Sequence, residues 1–242
     1  MTKKTIVASA GGTVSGAVTP NRPSWASVRS NYPDNSVSKA EFYPKISKAL
    51  ALSIDSPAYT NTCALRMSYA LNKSGVRLGS PPGNGRVTGD DGVVYWLRVK
   101  ELRRKLFKLF GDPDFHLLYP ERMPDPLLNE CDLNARICDA NAYVKDYPDE
   151  YKARLDYAYS NFMPNVKGKN GIIVFDVKGW GDATGHFTLW EDGNLLYVSE
   201  GSEENNPSSP SYYVWYIDPR IEYNADRTFI PQTVEVHFWE LK

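Results

Sequence analysis

The spacing of apolar residues changes once along this chain, and that change restricts it to helices first and a sheet afterwards. Up to about residue 110 the apolar positions recur with helical spacing; from residue 172 they come in short runs rich in β-branched and aromatic residues. Ser24 is placed to cap a short helix through Trp25 and Val28 that stops before Tyr32-Pro33. Residues 39–53 predict a helix carrying Phe42, Ile46, Leu50 and Leu52, with Pro44 in its first turns so that Tyr43 is an alternative start. Cys63 to Lys73 predicts a second, with Asn61 or Thr62 as N-cap and Gly75 closing its end. Tyr95 to Phe110 predicts a third, apolar through Val99, Leu102, Leu106, Phe107 and Leu109, and stopped by Gly111-Asp112-Pro113. Asp149 to Tyr159 suits a further short helix. Strands are expected at 172–177, 186–190, 195–198, 213–217 and 234–239, with Glu191-Asp192-Gly193-Asn194 as a hairpin turn. The class is therefore α+β, with N-terminal helices packed on a C-terminal antiparallel β-sheet.

Residues 1–22 are rich in Thr, Ser, Gly, Ala and Val without a period and predict a flexible leader. Residues 23–242 then form a single domain, with an irregular Pro-, Asp- and Tyr-rich insertion around 112–170. The first ten residues have early lysines and a later Ala-Ser-Ala, but the apolar stretch between is too short for a signal peptide, so the chain is expected to be made in the cytoplasm without a Sec-type address. A formal net charge of −1 argues against nucleic acid as partner. No run of 18 or more apolar residues predicts insertion into a membrane.

The chain has 3 cysteines. Cys131 and Cys138 lack metal-site spacing and have no histidine nearby, which leaves a bridge or two thiols as alternatives. Cys63 stands alone at the first turn of its predicted helix. Unpaired N–H groups and the helix dipole there favour a thiolate, lowering its pKa, and can later hold an oxyanion. The polar turn Asp55–Thr62 leaves the sulfur reachable by substrate. Taken alone, such a cysteine is more often a small buried apolar residue. In Gly185-His186-Phe187-Thr188-Leu189-Trp190 a histidine opens a strand directly after a glycine that leaves room beside it. A base on a sheet packed against a cysteine-bearing helix is the arrangement of papain-like hydrolases. The group that orients the imidazole is expected in or near the next strand: Glu200 is preferred over Ser199 and Asp192, since Asp192 falls in the tight turn, where it holds the turn itself.

Asn61-Thr62-Cys63-Ala64-Leu65-Arg66-Met67-Ser68-Tyr69-Ala70-Leu71-Asn72, followed by Ser74-Gly75, resembles the cysteine motif of the type VI secretion amidase effectors, family 4. Gly185 to Trp190 with Gly193 resembles that family's histidine motif. Pro23-Ser24-Trp25 with Tyr32-Pro33, and Tyr95 to Leu102 with Phe110-Gly111, add weaker likeness. The resemblance implies a papain-like fold and a cysteine amidase that cuts peptidoglycan stem peptides at the D-glutamyl–diaminopimelate amide, with Cys63 and His186 catalytic and no metal or organic cofactor. It implies an antibacterial toxin carried by a secretion apparatus to the periplasm of target bacteria and blocked by a cognate immunity protein. An oxidising destination makes a Cys131–Cys138 bridge reasonable. Where the family has an aspartate beyond the histidine hairpin, this chain has Tyr197-Val198-Ser199-Glu200.

Two rival functions fit the same residues. A Cys–His deamidase or protease toxin acting on a host protein keeps the chemistry and changes the target. A non-enzymatic glycan-binding module would bury Cys63 and use the many Tyr and Trp residues as a contact surface. Lys100, Arg103, Arg104, Lys105 and Lys108 on the third helix form a basic face, first of all a solvated one and otherwise a means of steering toward an anionic surface.

Overall fold

The computed structural model of the chain describes residues 9–10, 13–14, 22–127, 131–132, 137–181, 183–199, 205–221 and 227–242. Within the expected leader, β1 (Ser9–Ala10) and β2 (Thr13–Val14) pair antiparallel. Arg22 is part of the body: it pairs with Asp114 and donates to the Glu240 carbonyl at 3.1 Å. The first helix, α1 (Trp25–Asn31), starts where Ser24 accepts from the Ser27 N–H, and the Trp25 N–H donates to the carbonyl of Lys242, so both ends of the fold meet.

The helix expected over 39–53 is three short pieces. It begins at α2 (Lys39–Phe42), where Ser38 and Glu41 form a reciprocal capping box, and Pro44 then turns the chain into a 3₁₀ turn over Tyr43–Lys45. Ser47 caps a new start at α3 (Lys48–Ala51). The next helix, α4 (Cys63–Lys73), matches its expected span, and Gly75 at φ 83° lets the chain leave it. The third predicted helix is shorter than expected: β3 (Arg86–Thr88) and β4 (Val94–Trp96) form a hairpin, and α5 (Val99–Phe110) starts only after it. The Trp96 N–H is taken by Ser68 Oγ at 2.8 Å, which ties the hairpin to α4.

Beyond α5 come β5 (Phe115–Leu118), the short strands β6 (Cys131–Asp132) and β7 (Ile137–Cys138), and then α6 (Ala140–Asp146), α7 (Pro148–Asn161) and α8 (Met163–Val166). A disulfide joins Cys131 to Cys138 across the β6–β7 pair. The long strands β8 (Asn170–Lys178), β9 (Gly185–Glu191) and β13 (Gln232–Glu240) follow, with β10 (Asn194–Leu195), β11 (Arg220–Ile221) and β12 (Thr228–Phe229) between the last two. The central sheet is antiparallel in the order β10-β9-β8-β13-β5, and β12-β11-β7-β6 form a second.

The central sheet is covered on both faces, which is why β8 reads as an unbroken apolar run. Ile172 and Val174, with Phe187, Leu189 and Trp239, pack against α1, α4 and α5. Ile173, Phe175 and Val177, with Val236 and Phe238, pack against α7, α8 and the segment Tyr212–Ile217. That segment is not the strand its composition predicts. It runs as turns closed by Trp215 N–H to Tyr212 O and Ile217 N–H to Pro210 O, and its aromatics are buried because they cover a sheet face. The strand expected over 195–198 likewise pairs only at Asn194 and Leu195.

Candidate active site

The early end of β10 has a local cause that belongs to the site. The Leu196 N–H still reaches the Leu189 carbonyl, but the Tyr197 N–H goes to Thr188 Oγ1 at 2.8 Å. The Tyr197 carbonyl lies 2.8 Å from His186 Nε2, and its hydroxyl 2.7 Å from Thr62 Oγ1. Tyr197 thus joins the residue before Cys63 to the imidazole of His186. A carbonyl only accepts, so Nε2 carries the hydrogen and Nδ1 the lone pair.

Gly185 sets the position of that imidazole. A Cβ there would lie 2.0 Å from the Phe175 carbonyl oxygen, so only glycine lets β9 start this close to β8. The ring of His186 stacks on Tyr213, with centroids 4.2 Å apart, and Tyr213 continues the stack to Tyr216. This covered position pushes the imidazole down to about 4, because burial disfavours the charged form and the Tyr197 carbonyl offsets it only in part.

Cys63 opens α4, as expected, but two expectations about its sulfur are overturned. The residue is 1% exposed, not reachable from solvent. Burial also raises the thiol to about 11. The Phe187, Ala64 and Cys63 N–H groups and the charge of Arg66 act in the lowering direction, and desolvation outweighs them. Cys63 meets β9 through Phe187, the neighbour of His186. The helix start is closed by one of the two expected side chains, that of Asn61, and not by that of Thr62. Thr62 occupies the N-cap position, yet its hydroxyl serves Tyr197 and Arg66, and Asn61 Oδ1 accepts from the Cys63 N–H at 3.4 Å.

Arg66, one turn into α4, is fully buried without a carboxylate partner among the described residues. It donates to Thr62 Oγ1 and to the carbonyls of Pro33 and Asp34 at 3.1 Å each, with its guanidinium 4.3 Å from the Tyr197 ring centroid. Thr62, His186, Tyr197, Ser199 and Tyr213 line a cavity of about 440 Å³, which Asn61 and Thr62 bring to the residues just before Cys63. Ser199 is therefore at the site, Asp192 is in its turn accepting from the Gly168 N–H at 3.0 Å, and Glu200 lies outside the described residues.

Arg103, counted in the basic face, pairs instead with Asp176 and lies 3.7 Å from Glu235. Among the described residues one group has the donor types of a metal site: His116, Glu235 and His237, with donor atoms within 4.8 Å of one another. The Arg103 guanidinium, 3.3 Å from His237 Nε2, puts a fixed cation against that group, which suits an ion-pair network better than a metal. No helix among the described residues is long and apolar enough to cross a membrane.

A helix led by cysteine, packed on a strand that opens with Gly185-His186 in an α+β fold, agrees with the class to which the comparisons point. A family model for type VI secretion system (T6SS) amidase effector protein 4 matches residues 59–126 and 135–226. The chain belongs to that family, whose members are amidases and hence hydrolases. Its fold is similar to that of the effector Tae4 from Enterobacter cloacae in complex with Tai4, at 24% identity over 91% of this chain and 99% of that one, with a TM-score of 0.53. Tae4 from Enterobacter cloacae alone is similar at 23% identity over 91% and 98%, with a TM-score of 0.53. The Salmonella typhimurium Tae4 bound to the Enterobacter cloacae immunity protein Tai4 is similar at 22% identity over 91% and 100%, with a TM-score of 0.51. No curated protein matches the sequence.

Proposed function

We propose that this protein is a papain-like cysteine amidase that cuts peptidoglycan stem peptides at the D-glutamyl–diaminopimelate amide. In this reading it is an antibacterial toxin that a type VI secretion apparatus delivers to the periplasm of target bacteria. The observation that carries it is the tethering of His186 Nε2 to the Tyr197 carbonyl, which leaves the lone pair on Nδ1, on the strand that packs against the cysteine helix.

Burial keeps the thiol and the imidazole both neutral at rest, so proton transfer and attack are coupled. Nδ1 takes the Cys63 proton as Sγ adds to the amide carbonyl, and the N–H groups at the start of α4 receive the oxyanion. Collapse breaks the C–N bond, the imidazolium returns the proton to the leaving amine, and a thioester remains on Cys63. Water, deprotonated by Nδ1, then releases the acid and restores the thiol. No step uses a metal or organic cofactor. The orienting role expected of Glu200 falls in this reading to the Tyr197 carbonyl. The covered sulfur requires substrate to displace part of the cavity wall. An immunity protein, as Tai4 is for the structural relatives, is the expected inhibitor.

Purified peptidoglycan incubated with the wild type and with Cys63→Ala, followed by mass spectrometry of the soluble fragments, tests the reading. Stem-peptide cleavage by the wild type alone is the expected result. Absence of cleavage with a thiol that resists alkylation in the native protein would favour the binding-module reading, for which the burial of Cys63 is the supporting observation.

A further inference from the structure

The site does not end at the thiol. A second cavity, of about 530 Å³, adjoins the first and shares Asn61, Trp180 and Ala183 with it. Asn61 stands two residues before Cys63, and Thr184, also on the second wall, two before His186. The two cavities therefore flank the start of the cysteine helix and the start of the histidine strand.

Among the described residues, the second wall carries Arg98, Lys100 and Arg104 against the single acid Glu101. Glu101 Oε1 lies 3.5 Å from Arg98 and pairs with it, which leaves the charges of Lys100 and Arg104 in excess on this wall. Lys100 and Arg104 are exposed and form no ion pair among the described residues. Arg98 has a seat built for it. A Cβ on Gly85 would lie 2.6 Å from Arg98 Cγ and 2.7 Å from Cδ, so glycine makes the space in which the stem runs. The Leu97 N–H bond to the Gly85 carbonyl, 2.9 Å, fixes the backbone beside it.

We propose that this wall is a carboxylate subsite: Arg98, Lys100 and Arg104 hold a free carboxylate on the peptide whose amide is cut at Cys63. The inference rests on the amidase reading and names the feature of substrate that the site selects. A cavity that shares a wall with the one lined by His186 is reached by the same substrate molecule, and three cations facing one acid among the described residues select an anionic branch. The planar guanidinium groups suit a carboxylate and gain nothing comparable from a carboxamide.

The test uses two synthetic stem peptides that differ only in the carboxyl next to the cleaved amide, free in one and a carboxamide in the other. The wild type should cleave the free acid with kcat/KM about tenfold higher or more, the effect of hydrogen bonds to a charged group. In Arg98→Gln/Arg104→Gln that ratio should collapse toward one, while Arg104→Lys should retain most of it. Both positions are exposed, and should the double variant melt early, each single variant should still lower the ratio. A wild-type ratio near one, or an unchanged ratio in the glutamine variants, overturns the subsite and leaves the amidase reading standing. Failure of the wild type to cut either peptide removes the amidase reading, and the subsite with it.

Discussion

Tyr197 binds the site together at three atoms, and only one of the three belongs to its side chain. Tyr197→Phe keeps the carbonyl on His186 and removes the hydroxyl from Thr62. It should cost about 1 kcal/mol of stability, measured by urea unfolding, and leave peptide cleavage detectable but slower. Loss of all cleavage with normal stability would assign the hydroxyl a larger part than the structure supports. Arg66→Met should be harsher. It deletes three hydrogen bonds from a buried guanidinium, and a loss of about 3 kcal/mol is expected; unchanged stability would contradict the network. Cys63 and His186 stood out in the sequence because their residue types and local settings are unusual. Tyr197 did not, since its main contribution is a backbone carbonyl that any residue possesses. Arg66 carries no such signal in the sequence; the Pro33–Asp34 turn and the rings of Phe42 and Tyr197 bury it.

At the scale of elements, periodicity located what packs, and hydrogen-bonding competition decided what form it took. The span of α4 and the long strands β8, β9 and β13 were legible, because apolar runs there are bounded by clear turn residues. Ser47 and Pro44 together broke the helix over 39–53, a choice made by caps that the apolar spacing does not register. The run at 213–217 carries a strand's composition yet serves as a lid on one sheet face, which no local pattern distinguishes from a strand. Gly185 shows how closely the elements approach at the site. Gly185→Ala forces β9 away from the Phe175 carbonyl and should cost about 1–3 kcal/mol while lowering activity further than stability, because His186 moves with the strand. A variant with wild-type melting would mean that the two strands part without penalty.

The whole molecule keeps two of its 3 histidines neutral by burial, and this makes its stability depend on pH. His186 and His237 are each held down to about 4, against 6.5 for an exposed histidine. Between those values the unfolded chain binds protons that the folded chain does not. Stability from these groups is therefore complete above about pH 6.5 and is lost as pH falls toward 4, by a few kcal/mol in total. Melting temperature should fall clearly between pH 7.5 and pH 5; a flat profile would contradict the burial of both rings. At this scale the family was legible from the cysteine and histidine motifs, whereas the second cavity was not, since it is walled by residues from three separate stretches of chain. The central claim is that a covered, neutral thiol becomes the nucleophile when substrate enters. Intact-protein mass spectrometry during turnover of a slowly hydrolysed ester analogue of the stem peptide tests it most directly. An added acyl mass that maps to Cys63, and is absent from Cys63→Ala, is the predicted result; turnover with Cys63 unmodified throughout, and undiminished in Cys63→Ala, would contradict it.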